Sequence, residues 1–135
     1  MKEILVRLYR LYGMAKDLHY GSAGLPFYGL HLMFDRVADG LLDSADRIQE
    51  GYFLARDLPA PKSADIYAEA AADKREVTPE ALRDLLRETI YRIDQLTADD
   101  PELSEGDKTI ISDISADLAA KLGFINRTLT SAGNK

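Results

Sequence analysis

The sequence contains no cysteine and no tryptophan, and only two histidines in 135 residues. Without cysteine there are no disulfides and no thiolate ligands, so any metal held here must use imidazole and carboxylate, which favours iron, manganese or zinc. Uninterrupted apolar runs of membrane-spanning length are also lacking, so no membrane partner is expected. The opening stretch MKEILVRLYRLYG has charges inside its apolar run and no small-residue cleavage site. It does not read as a signal peptide, and a cytoplasmic location is the default expectation. Basic excess is missing too: the formal net charge is −6. That argues against a surface built to grip nucleic acid and leaves cations as natural partners.

What is present fits one globular domain over residues 1–135, with 46% apolar and 30% charged residues. The periodicity is helical throughout and no segment reads as a strand. Residues 2–20 form the first expected helix, and the turn GSAGLP follows at 21–26. From Phe27 to about Arg56 a second long helix is expected, with Phe34, Val37, Leu41, Ala45, Ile48 and Tyr52 as its apolar stripe. Residues 63–73 suit a short helix capped by Ser63. The third long helix spans 78–96, opened by Thr78 as N-cap and Pro79 at the first helical position. Ser104 and Asp107 resemble a capping box before the last helix, 107–129, and TSAGNK reads as a frayed tail. The connection over 57–77 is long and the other two are short, so the expected fold is all-α: a ferritin-like four-helix bundle whose long crossover carries a short extra helix.

Both histidines lie close to a ladder of acids, Asp35, Asp39, Asp43, Asp46 and Glu50. On a continuous helix with His31 at zero, Asp35 falls near ~40°, Asp46 near ~60° and Glu50 near ~100°, on the flank of the apolar stripe. Carboxylates at the edge of a buried surface are costly unless a cation joins them. Acids spaced four apart also make an ordinary solvated helix face, and a helical histidine is commonly a structural hydrogen-bonding residue. Asp35 and Asp46 stand roughly 16 Å apart along such a helix, too far for one ion. A second copy packed antiparallel across a two-fold axis brings His31 and Asp35 to its mate's Asp46 and Glu50.

The pattern His19-x11-His31-x3-Asp35-x10-Asp46-x3-Glu50 resembles the ferroxidase motif of the Dps family, the small dodecameric ferritins, with each spacing matched. GLPFYGLHLMFD, the four-helix outline, the small crossover helix and EGD before the last helix are similar to the family over about residues 10–130. The Glu and Glu-x-x-His set of ordinary di-iron bundles is missing. The resemblance implies a ferroxidase that oxidises ferrous iron at a site shared between two subunits. His19, His31 and Asp35 come from one chain, Asp46 and Glu50 from its mate. It implies hydrogen peroxide in preference to oxygen as oxidant, and ferric mineral stored in a hollow dodecameric shell. It also points to acids lining a three-fold pore, matched here by Asp107, Asp113 and Asp117; for Asp107 a role in the helix start is equally open. Tyr20 stands where many members have tryptophan, as a trap for a stray oxidising equivalent or as plain packing. DNA-binding members carry a Lys-rich tail before the first helix; here that helix is expected almost from Met1, so DNA binding is expected to be weak or lacking. Two other readings use the same residues: a DNA-compacting protein of the family, and a shell whose site holds Zn2+ or Mn2+ silently.

Overall fold

A computed structural model describes residues 1–133, and these are all-helical. The helices are α1 (Lys2–Gly21), α2 (Tyr28–Ala38), α3 (Leu41–Ile48), α4 (Ser63–Ala71), α5 (Pro79–Asp99) and α6 (Glu105–Gly133). A 3₁₀ turn, Leu25–Phe27, precedes α2, and a π-helical segment, Gln49–Leu54, extends α3. No helix among the described residues is long and apolar enough to cross a membrane. The last helix runs on through most of the expected tail; Asn134 and Lys135 lie outside the described residues.

Ion pairs give the direction of each helix. Glu3 and Arg7 of α1 meet Arg92 and Glu88 of α5, so these helices are antiparallel. Lys16 meets Asp35, which sets α1 antiparallel to α2. Asp113 meets Arg47 and Asp107 meets Arg56, setting α6 antiparallel to the α3 rod. The α2–α3 rod and α5 therefore point the same way, and α1 and α6 point the other. Each of α1 and α6 packs on both members of the parallel pair. Two parallel rods joined in sequence need a connection that runs the length of the molecule, and residues 55–78 with α4 supply it along α1. The core between the rods is Leu8, Leu11 and Met14 of α1, Phe34 and Val37 of α2, Leu41 and Ile48 of α3, Leu82 and Leu86 of α5, and Ile111 and Leu118 of α6. Each large aliphatic side chain so buried stabilises by roughly 1.5–3 kcal/mol.

The helix starts follow local chemistry. Thr78 Oγ1 accepts the Ala81 amide at 3.0 Å, with Pro79 beside it. Ser104 and Asp107 bond reciprocally, amide to side chain, at 2.8 and 3.1 Å. Ser63 is the first residue of α4, and no side-chain cap bond opens that helix.

The expected single helix from Phe27 to Arg56 is broken. Asp39 is extended (ψ 132°) and Gly40 is left-handed (φ 79°), a conformation that costs an L-residue roughly 1–2 kcal/mol. A break exposes carbonyls that a continuous helix would use. Lys121, only 6% exposed, reaches across from α6 and donates to the carbonyls of Arg36 (3.3 Å) and Asp39 (2.5 Å), with Asp117 at 3.5 Å balancing its charge. The apolar stripe nonetheless runs through the break, because Val37 and Leu41 on either side are both fully buried. Further on, the Ala55 amide bonds to the Glu50 carbonyl at 3.0 Å, five residues apart, which widens the helix, and the Leu58 amide bonds to the Phe53 carbonyl at 2.9 Å past left-handed Asp57, which ends it. Gly51 lies there against α6; a Cβ at this position would sit 2.6 Å from Ile110 Cδ1.

Replacing Lys121 by methionine keeps the buried stem and leaves two carbonyls and Asp117 without their cation. A loss of about 2–4 kcal/mol in urea unfolding is expected. A loss under about 0.5 kcal/mol would mean that the ammonium does not hold the break.

Candidate metal centre

His19 lies in the last turn of α1, and His31 in the first turn of α2. The GSAGLP turn folds these ends onto each other. Nδ1 of His19 lies 2.7 Å from the His31 carbonyl, and Nδ1 of His31 lies 2.8 Å from the His19 carbonyl. A carbonyl only accepts, so each Nδ1 is the protonated nitrogen. In its neutral form each ring is thereby fixed as the Nδ1–H tautomer, and its Nε2 keeps its lone pair, the atom a metal uses. The rings stack with centroids 3.8 Å apart, flanked by Tyr20 at 5.4 Å from His19 and Tyr28 at 6.3 Å from His31.

One turn after His31, Asp35 completes the group, with Oδ1 at 3.9 Å from His19 Nε2. The sequence missed its other partner: Lys16 Nζ donates to the same oxygen at 3.1 Å. The signal was legible, since Lys16 precedes His19 by three and shares its face. The Lys16 hydrogen bond, followed by its charge and those of the histidines, holds the Asp35 carboxyl below its ordinary range; the same bond raises Lys16. The signs place the ion pair in a wide window. Asp35 contributes stability above its unfolded pKa, lost as pH falls through the lowered folded value. Lys16 contributes below its own unfolded pKa, lost as pH rises through the raised folded value. Asp35 and Lys16 both line an open cleft of about 1150 Å³ with Asp39, Asp43 and Lys121.

Asp46 and Glu50 are not brought to this group. Among the described residues no three His, Cys, Asp or Glu side chains are set to hold an ion together. The wheel drawn on a continuous helix does not survive the break at Gly40, and the ladder divides. Asp46 lies toward Tyr9 of α1, where burial first, then the charges of Tyr67 and Asp46, raise the Tyr9 hydroxyl. Glu50 sits in the π segment. Asp39, Asp43, Asp46 and Glu50 are exposed, and among the described residues none of their carboxylates has a Lys or Arg within 4.0 Å.

Of the pore candidates, Asp107 is corrected. It is 3% exposed and committed to the Ser104 cap and to Arg56, so it lines no opening. Asp113 and Asp117 are exposed on successive turns of α6, paired with Arg47 at 3.0 Å and Lys121 at 3.5 Å. Beside the histidines the surface is apolar, with Leu25, Phe27, Tyr28 and Leu32 all at least half exposed.

No family model, curated protein or solved structure matches this chain.

Nitrogen-15 spectra of the neutral rings should show both histidines protonated at Nδ1; Nε2–H rings would remove the lone pairs from the site. Replacing Lys16 by methionine should raise the carboxyl titration of Asp35 toward the ordinary aspartate range in a carbon-13 titration. An unmoved midpoint would mean that Lys16 does not set it.

Proposed function

We propose that the protein is a ferritin-like, Dps-type ferroxidase and iron store. It oxidises ferrous iron, with hydrogen peroxide as preferred oxidant, at a site shared between two subunits, and it keeps the ferric product in a hollow dodecameric shell. The observation that carries this reading is the reciprocal His19–His31 pair, with both Nε2 atoms free and that of His19 standing 3.9 Å from Asp35. Three further features support it. The rod directions, with a lengthwise crossover, suit the ferritin-like bundle. Asp46 and Glu50 carry negative charge that no cation of their own chain meets within 4.0 Å among the described residues. The exposed apolar surface around Leu25 and Phe27 adjoins the histidines, where a second copy would cover it.

Iron is the substrate. Imidazole nitrogens hold the ferrous ion, and carboxylate oxygens favour the ferric one. Two ferrous ions each give one electron to one peroxide, the O–O bond breaks, and both oxygens end as hydroxide or oxide on ferric iron while water supplies the rest and protons leave. Because both electrons pass together, no hydroxyl radical is released. Asp113 and Asp117 are the acids proposed for the route of entry. With a net charge of −6, DNA contact is weak or lacking in this reading.

The test is complementation. One variant carries His31→Ala and Asp35→Ala, the other Asp46→Ala and Glu50→Ala, and each alone should lose peroxide-driven ferrous oxidation. Unfolded together and reassembled, about half of the dimers are mixed, and one of the two sites in each is intact. Roughly a quarter of wild-type activity should return. No recovery despite proven co-assembly sinks the shared site. In the wild type, peroxide should oxidise bound iron several-fold faster than oxygen at equal concentration; equal rates count against the choice of oxidant.

A further inference from the structure

We propose that the cleft between α1, α4 and α5, on another part of the surface from the histidines, binds a small oxyanion of the phosphate type, with the Arg10 guanidinium as its anchor.

The cleft has a volume of about 360 Å³, enough for a small ligand. Arg7 and Arg10 face it from α1, Glu69 from α4, Asp73 and Arg75 from the connection to α5, and Glu88 from α5. At first sight the lining is mixed in charge. The pairing shows which charge is left over. Glu3 is taken by Arg92 at 2.7 Å and Glu69 by Lys2 at 3.3 Å. Arg75 takes both Asp73 and Glu88 at 3.0 Å, and Arg7 adds a longer contact to Glu88 at 3.8 Å. Four carboxylates are thus met by four cations, and the fifth cation, Arg10, has no ion-pair partner among the described residues. Its Nε–H is buried with no acceptor.

A buried donor without an acceptor is costly, and more so when it carries charge. Proteins accept that cost where a ligand supplies the missing atom. The donors of a guanidinium match a planar or tetrahedral oxyanion, two N–H groups to two oxygens. Asp73 is a carboxylate of the same cleft that feels the charge of Arg10, and it is engaged: burial raises its carboxyl, but the Arg75 amide and guanidinium, with Arg10 adding to them, outweigh that and hold it low. The ligand must therefore bring its own negative charge. The surrounding carboxylates limit it to a compact anion, since an extended polyanion would meet Glu69 and Glu88 at the rim.

Inorganic phosphate is the probe, titrated into the full chain by calorimetry at constant ionic strength, with chloride as the balancing anion. Saturable binding at one site per chain is expected. Arg10→Ala should weaken it at least tenfold, while Arg10→Lys, which keeps the charge and removes Nε–H, should fall between. Arg83→Ala, at a half-buried arginine outside the cleft, should bind as the wild type does. Non-saturable heats in the wild type, or equal affinity in Arg10→Ala with its helical spectrum intact, overturn the proposal. So does a change in assembly mass on Arg10→Ala with phosphate binding unaltered, which would make a carboxylate of a second copy the acceptor. The test does not involve iron, so its outcome is independent of the ferroxidase reading.

Discussion

The buried ammonium of Lys121 permits the shape of the α2–α3 rod. A helix that stops at Ala38 and restarts at Leu41 leaves carbonyls turned out of register, and in a packed interior such groups must find donors. Lys121 reaches two of them from α6 and takes its counter-charge from Asp117 one turn away. One side chain therefore closes the break and ties α2 to α6. The gain is independence of the two half-rods. Residues of α2 are aligned by α1, through His19 and Lys16. Residues of α3 and the π segment are aligned by α6, through Arg47–Asp113 and Arg56–Asp107.

Much of this was legible because it is local. The Thr78–Pro79 start and the Ser104–Asp107 box need only neighbours within three residues, and both form. The His31–Asp35 spacing of one turn needs only a helix. The break at Asp39–Gly40 was hidden for a definite reason. Asp-Gly is a turn signal, but the apolar stripe from Phe34 to Ile48 passes through it with every member buried. Burial reports which residues face the core, and a rod that bends around a core can keep its stripe while losing its hydrogen bonds. The device that stabilises the bend lies 82 positions away in sequence, beyond any pattern in a window. Asp107 was ambiguous for the opposite reason: an acid in a first helical turn suits both a cap and an opening, and burial against Arg56 decides between them.

The proposed centre is divided by charge as well as by distance. The imidazole half contains Lys16, so its single carboxylate is already neutralised. The half with Asp46 and Glu50 contains two carboxylates and no cation within 4.0 Å among the described residues. Brought together across a two-fold axis, with both imidazoles neutral, the halves carry a net charge of minus two, which one ferrous ion cancels. A second ion would gain a further counter-charge only by displacing Lys16 from Asp35, which adds a third negative charge and leaves the two ferrous ions one positive charge in excess. In the proposed reaction the first ion would enter a site already matched to it, and the second would compete with an intramolecular ion pair. Oxidation would raise the charge on two ions from four to six against three carboxylates. Charge held away from water without compensation is very costly. The excess would be met by hydroxide or oxide drawn from the oxidant and from water, with protons released. A ferric product that carries its own oxygen ligands would no longer need the protein's, so the charge count proposed to admit ferrous iron would also let the oxidised form depart toward mineral.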